Sequence, residues 1–295
     1  MIEHDPIDTG LWRAGCSATG TSGSEGGPRK RTDSKDRQRA SARPYDILVH
    51  DDGTAGKKAK YNRLKTMTQT AAQAVGDGAS TRRGGGDDGT YRIELLHYGP
   101  ETEGPALMLP QIRLDIGVLG GVEPHGMRPI GTLLGDVLQA ERGIDVTTFD
   151  DLVHFEVPVL HPGRTLVEKL LLVHTSATRS VTDLALLPQF RASRHYYDIH
   201  CLLGHDECCD LLADRDQFDV ILADAVAIST IHFGGVEPRP DDGFAASLAF
   251  CATEPLVTDI VRQYEDTMSA YYFGTDLHPS YDAVCKRVDE RRHIL

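Results

Sequence analysis

The chain has 295 residues, of which 40% are hydrophobic, and it carries a formal net charge of −13. This length and apolar content allow a sizeable core and either one large or two modest domains. The negative charge argues against binding nucleic acid through a global positive field, although it is compatible with a local basic groove.

The first 44 residues have an unusual composition. From Arg13 to Pro44 the sequence contains almost no large apolar residue and is rich in Gly, Ser and Arg. Such a stretch buries too little surface to offset its ordering entropy, so we predict that it is disordered. It includes GTSGSEGG, which is similar to a phosphate-binding glycine loop, but no helix-forming run follows it. We interpret this stretch as low-complexity sequence.

Residues 45–160 contain the strand signals. YDILVH (45–50) is the first predicted strand, and spaced apolar residues predict a helix from about residue 61 to residue 75. STRRGGGDDG (80–89) is predicted to be a loop. YRIELLHY (91–98) and ALMLPQIRLDIGVL (106–119) are rich in branched or aromatic residues, which predicts two adjacent strands.

Helical periodicity begins after LHPGRT, and we place the boundary between the two predicted lobes near His161. Thr165 and Glu168 are predicted to form a capping pair at the start of a helix. The predicted helices cover residues 164–178, 194–203, 208–214, 220–231, 255–272 and 280–292. The predicted fold class is therefore α+β, with a mixed-sheet lobe (45–160) followed by a helical lobe (161–295).

No membrane association is expected. No apolar run reaches the roughly 18 residues that span a bilayer. The start of the chain, MIEHDPIDTGLWRAG, lacks the basic-then-apolar order of a secretion signal. We expect a cytoplasmic protein whose six cysteines are reduced thiols.

Two carboxylates occur inside predicted strands. Asp46 and Asp115 each lie next to branched apolar residues in the chain. Because successive side chains of a strand point to opposite faces of the sheet, each carboxylate is expected on the face opposite to these apolar neighbours. Two such groups on neighbouring strands are suited to magnesium, which takes hard oxygen ligands together with substrate phosphates. The alternative is that both lie on a solvated face of the sheet.

Charged residues also interrupt two helical patterns. Lys169 lies among leucines, where a lysine either extends to the surface or is held for contact with an anion. In RASRHYYDIHCLL, Tyr196, Ile199, Leu202 and Leu203 share one face of a helix, and Arg194, Asp198 and Cys201 lie on another. Arg194 and Asp198 are spaced to pair at i, i+4, either as a surface salt bridge or as part of a site.

The histidines and cysteines of the same region could also suggest a zinc site. They match no paired arrangement of zinc ligands, and adjacent cysteines point in different directions on a helix. We therefore do not favour structural zinc at His195, His200, Cys201, His205, Cys208 and Cys209.

Three segments together carry a family resemblance: LHPGRTLVEKLLLVHTSATR, SRHYYDIHCLL and DDGFAASLAF. In this order they resemble the nucleotidyltransferase AbiEii/AbiGii toxin family, the toxin half of bacterial toxin-antitoxin systems. The resemblance implies a nucleotidyltransferase-like lobe and transfer of a nucleoside monophosphate from a nucleoside triphosphate to RNA, in some members to the 3′ end of tRNA. It also implies a cognate antitoxin as partner.

The resemblance assigns roles to individual residues. It implies that Lys169 contacts the triphosphate, that Asp198 assists catalysis or orients Lys169, and that Asp46 and Asp115 hold Mg²⁺. The polar face of the second segment, with Arg194 and His195, would complete the substrate-binding cleft.

The sequence departs from the family at its first strand. The family carries a Gly-Gly-Thr-Ser stretch and an Asp-x-Asp pair, whereas here Pro44 stands where the first carboxylate belongs. This departure suggests a replaced or frame-shifted amino terminus and predicts a poor catalyst. The alternative hypothesis is a non-catalytic remnant that binds an antitoxin or a nucleotide.

Overall fold

The computed structural model describes most of the chain after Arg43. The described residues are 44–48, 56–74, 80–85, 91–97, 111–118, 120–150, 152–182, 193–272 and 277–295. They form a mixed α+β structure that is mostly helical. The disorder predicted for residues 1–44 lies outside the described residues, except that Pro44 begins the first strand.

A four-stranded sheet comes first. Its strands are β1 (Pro44–Leu48), β2 (Ser80–Gly85), β3 (Tyr91–His97) and β4 (Gln111–Gly117), in the order β1-β4-β3-β2. β1 and β4 are parallel, while β4, β3 and β2 are antiparallel neighbours. Helix α1 (Lys57–Ala74) follows β1 and packs on the sheet, where Leu64 and Ile116 are buried together. The predicted adjacency of β3 and β4 is confirmed.

Strand β2 corrects the sequence analysis, which predicted a loop from residue 80 to residue 89. Ser80–Gly85 instead pairs with β3, with a register shift between Arg82 and Gly84. Glycine and arginine have low strand propensity, but β2 is an edge strand, and pairing with a neighbour can override propensity there. Arg83 is the extra residue at this shift, and Gly84 and Gly85 resume the pairing with β3.

A small unit separates the sheet from the helical region. It comprises β5 (His125–Ile130), helix α2 (Leu133–Arg142) and β6 (Phe155–Leu160), with β5 and β6 antiparallel. Thr132 caps α2 by accepting from Gly135 N at 3.0 Å. None of these elements was predicted, because Pro129 and Pro158 interrupt both strand patterns.

The described residues after β6 are mainly helical. The helices are α3 (Pro162–Thr182), α4 (Ser193–Leu202), α5 (Asp206–Ala213), α6 (Arg215–His232), α7 (Leu248–Cys251), α8 (Leu256–Tyr271) and α9 (Tyr281–Glu290). All except the short α7 were predicted. They share one core, to which the predicted apolar face of α4 contributes Tyr196, Ile199, Leu202 and Leu203.

The start of α3 differs from the prediction. The helix begins at Pro162, a favoured first position because proline lacks the N–H that would be unpaired there. His161 Nδ1 accepts from Gly163 N at 3.1 Å. Thr165 and Glu168 therefore lie inside the helix, and the predicted capping pair is wrong.

The described residues contain no helix that is both long and apolar enough to cross a membrane. The cysteines among them are free thiols: Cys201, Cys208, Cys209, Cys251 and Cys285.

Candidate active site

Helices α3 and α4 bring three predicted residues into contact. Lys169 Nζ lies 2.6 Å from Asp198 Oδ2 and 3.2 Å from His195 Nδ1. All three side chains are buried, Lys169 with only 2% of its surface exposed. The leucines around Lys169 pack into the core, so the face of α3 that carries Lys169 points toward the interior. A buried ammonium needs a charged partner, and Asp198 supplies it.

This burial corrects two interpretations of the sequence. Lys169 does not extend to the surface, which was favoured for an isolated lysine on an amphipathic helix. Asp198 is bound by Lys169 and lies 3.5 Å from His195 Nδ1, rather than pairing with Arg194 at i, i+4. The pairing partner is 29 residues away in the chain, beyond the range of local spacing rules.

His195 is held as a neutral imidazole. Burial and the neighbouring Lys169 lower the pKa of His195 from 6.5 to about 4. An ammonium group has no acceptor, so the Nδ1 lone pair faces Lys169 and Nε2 carries the proton. The ring therefore supports Lys169 without adding a second positive charge at neutral pH.

Asp198 is held as a carboxylate. Burial by itself raises the pKa of Asp198, but the charge of Lys169 and the hydrogen bond that its ammonium group donates to the carboxylate outweigh this effect, and the net pKa is lowered. A buried ion pair with this geometry fixes the position of the ammonium group. The pair therefore presents a lysine whose direction is set.

A cavity of about 200 Å³ opens beside this cluster, between α3 and α6. Glu168, Lys169, His195 and Gly120 lie at one end of its lining, and Ser176, Arg179, Ser229 and Gly235 lie farther along the two helices. Leu172, Ile228, Phe233 and Val236 supply apolar lining. Gly120 follows β4, so the cavity touches the segment that leaves the sheet.

Comparison with protein families bears on this arrangement. The model of the family described as nucleotidyl transferase AbiEii toxin, type IV TA system, matches residues 46–286. The chain belongs to this family. Comparisons with curated proteins and with solved structures gave no match. This AbiEii chain is thus a member of a family of nucleotidyltransferase toxins of toxin-antitoxin systems.

The two strand carboxylates of this AbiEii chain occupy matched positions. Asp46 on β1 and Asp115 on β4 are register partners on adjacent parallel strands. Their side chains lie outside the described residues, so their role as Mg²⁺ ligands stays a prediction. Among the described residues, no group of three or more His, Cys, Asp or Glu could hold a metal ion.

Arg194 lies in the first turn of α4 and is half-buried. Its charge contributes, after burial and Lys169, to the lowered pKa of His195. Arg194 thus increases the positive potential around the cluster. Its predicted contact with substrate stays a prediction.

Arg164 is a structural residue that the sequence analysis missed. Its buried guanidinium donates to Glu168 Oε1 at 3.0 Å, to Glu123 O at 2.5 Å and to Asp224 Oδ2 at 2.6 Å. It joins the segment before β5 to α3 and α6, the two helices that flank the cavity. The i, i+4 spacing of Arg164 and Glu168 was the only local signal for it.

Proposed function

We propose that this AbiEii protein transfers a nucleoside monophosphate from a nucleoside triphosphate to RNA, with the 3′ end of tRNA as the candidate acceptor and Mg²⁺ as the cofactor. The observation that carries the proposal is the buried Lys169–Asp198 pair at one end of a cavity. A positive charge held in a partly closed cavity is suited to a polyphosphate.

Lys169 would contact the triphosphate. Its ammonium group has three N–H donors, of which Asp198 and His195 take two. The third is left for a phosphate oxygen in the cavity that Lys169 lines. Asp198 would act as a positioning residue, because it fixes the ammonium group and does not itself line the cavity.

The donor set at the sheet fits magnesium. Carboxylates at matched positions of adjacent parallel strands offer hard oxygen ligands, which Mg²⁺ prefers. Asp46 and Asp115 would hold the ion, which when bound would neutralise charge on the phosphates.

The transfer step needs little covalent chemistry from the protein. An RNA hydroxyl oxygen would form a bond to the α-phosphorus and lose its proton to water, the bond from that phosphorus to the bridging oxygen would break, and pyrophosphate would leave with the electron pair. Lys169 would stabilise the negative charge on the phosphate oxygens, and its fixed position avoids reorganisation during the step. His195 and Asp198 would hold that position.

One observation supports the alternative of a non-catalytic protein that binds an antitoxin or a nucleotide. Pro44 lies on β1 two residues before Asp46, and its register partner on β4 is Arg113. This position therefore offers no carboxylate from either strand. Loss of a metal ligand can remove several kcal/mol of transition-state stabilisation, which corresponds to roughly two to three decades in rate.

Incubation with labelled nucleoside triphosphates, Mg²⁺ and total tRNA tests the proposal. The wild-type chain should label RNA, and a Lys169→Met/Asp198→Asn variant should not. The double variant removes both buried charges, so neither is left without a partner. Lys286→Ala removes a lysine that is 79% exposed and serves as the matched control. Binding of triphosphate without labelled RNA would favour the non-catalytic alternative.

Pro44→Asp tests the strand position separately. If the site lies at β1, this variant should raise RNA labelling or Mg²⁺ affinity. Strong labelling by the wild-type chain that Asp46→Ala leaves unchanged would contradict the placement of the site at β1.

A further inference from the structure

We infer that the end of the α3–α6 cavity remote from Lys169 is a nucleobase subsite, with Phe233 as its stacking surface and Ser176 and Ser229 at the edge of the base. The inference rests on the proposed function, because it takes the phosphates to lie at Lys169. It assigns a substrate-selecting role to Phe233 and Ser229, which lie outside the family segments and the buried ion pair, and to Ser176, which lies in the first of those segments.

The cavity has a long axis. Its lining extends along α3 from Lys169 to Arg179, ten residues apart, which corresponds to about 15 Å of helix. Helices α3 and α6 run in the same direction along this axis. Arg164 near the start of α3 contacts Asp224 in the middle of α6, and Arg179 near the end of α3 contacts Gly235 O just after the end of α6. A ligand lying along this axis would have one end at Lys169 and the other beside Phe233.

The two ends differ in chemistry. The Lys169 end carries charged and titratable groups, Glu168 and His195 among them. Beyond it the lining consists of the Phe233 ring, aliphatic side chains and hydroxyl groups, together with Arg179, whose charge is paired with Glu237. A nucleotide has the matching asymmetry, since its phosphates are anionic and its base is a flat ring with hydrogen-bonding edges.

The wall around Phe233 is held in place from α3. Glu237 N donates to Thr175 Oγ1 at 3.0 Å, and Arg179 Nε donates to Glu237 Oε1 at 2.9 Å. The buried His174 contacts Pro238 O through Nε2 at 2.8 Å and Ser247 Oγ through Nδ1 at 2.8 Å. The segment after α6 is thus fixed before a ligand binds, which lowers the ordering cost of binding.

The volume of the cavity indicates how much of a ligand it can enclose. Pockets that enclose a whole drug-sized molecule are about 300–1,000 Å³, whereas this cavity is about 200 Å³. A nucleotide lying along the long axis of the cavity would therefore be only partly enclosed, with the rest of the molecule exposed at the open side of the cavity. Serine hydroxyls both donate and accept, so Ser176 and Ser229 can pair with the edge of a base.

Calorimetric binding of the four nucleoside triphosphates and of inorganic triphosphate tests the inference. Phe233→Leu keeps an apolar side chain but removes the ring, so it should weaken nucleoside triphosphate binding about tenfold and leave inorganic triphosphate binding unchanged. Ser229→Ala should change the relative affinities of the four nucleotides by at least about threefold. Phe149→Leu alters an exposed ring outside the cavity and is the matched control.

The outcomes separate this inference from the proposed function. Wild-type affinity of Phe233→Leu for all four nucleotides, or an equal loss of inorganic triphosphate binding, would overturn the subsite while leaving the transfer reaction intact. Ring-dependent nucleotide binding by a protein that labels no RNA would support the subsite and refute the transfer reaction.

Discussion

The burial of side chains differs between two regions of the molecule, the helical region from Pro162 to Leu295 and the small β5–α2–β6 unit. The helical region buries most of its large apolar residues in one core and also buries the charged residues Arg164, Lys169 and Asp198. The small unit leaves many of its apolar side chains exposed: Met127, Ile130, Leu134, Val137, Ile144, Phe149, Val153 and Phe155.

This difference shows that an apolar side chain is buried only where enough neighbouring elements surround it. A two-stranded sheet with one helix has too few layers to enclose all of its apolar residues. In the helical region the dense apolar surroundings enclose even a lysine, and specific ion pairs compensate its desolvation. Four substitutions test this difference between the two regions.

The largest effect is expected for Asp198→Ala. It leaves the buried Lys169 ammonium without its counter-charge, so the free energy of unfolding should fall by about 3–5 kcal/mol in urea titrations. Asp150→Ala removes an exposed carboxylate of the small unit and should change the free energy of unfolding by less than about 0.5 kcal/mol. Equal effects of the two substitutions would show that the buried pair contributes little.

The second effect concerns pH. The unfolded chain binds a proton at His195 below about pH 6.5, while in the folded chain the pKa of His195 is about 4. The unfolded state therefore binds more protons as the pH falls from 6.5 to 4, and the free energy of unfolding should fall by about 3 kcal/mol in all. His195→Gln keeps an acceptor for Lys169 and cannot titrate.

Unfolding titrations at several pH values test this expectation. The wild-type chain should lose more stability between pH 6.5 and pH 4 than His195→Gln does. Parallel curves for the two proteins would show that His195 is not held neutral in the folded state.

A smaller effect is expected for Gly121→Ala. A Cβ at this buried position would meet the Arg164 guanidinium, which is fixed by Glu123 O and Asp224. Moving that group should cost about 1–3 kcal/mol, measured by thermal unfolding. Gly126→Ala in β5 meets no atom within 4 Å and should be neutral or slightly stabilising. A neutral Gly121→Ala would show that Arg164 can move without loss.

The smallest effect is expected in the small unit itself. Met127 is 59% exposed, so Met127→Ala should change the free energy of unfolding by less than about 0.5 kcal/mol. Leu170→Ala in the helical core should cost about 2–5 kcal/mol in the same titration. A large loss for Met127→Ala would indicate that a partner covers this surface in solution.

Much of the helical region could be predicted because its apolar residues recur at helical spacing. The apolar face of α4, with Tyr196 and Ile199, follows directly from a period of 3.6 residues. The family could also be identified from local segments, chiefly those around Lys169 and Asp198. These features are encoded within a few turns of chain, where spacing rules apply.

The failures of prediction share a cause in long-range contacts. Strand β2 exists because β3 pairs with it, and the sequence STRRGG contains no strong strand signal. The strands β5 and β6 were missed because each contains a proline, which a two-stranded sheet tolerates at its edges. In each case the partner strand decides the conformation.

The sequence by itself determined the helices of the carboxyl-terminal region, the membership of a nucleotidyltransferase toxin family and the residues worth testing, because all of these depend on local pattern. Only the folded structure shows that Lys169 is buried, that Asp198 pairs with Lys169 and not with Arg194, and that Arg164 connects three segments. The physical reason is desolvation. Whether a charged side chain extends to water or pairs inside depends on which distant groups surround it, and residue spacing carries no record of those groups.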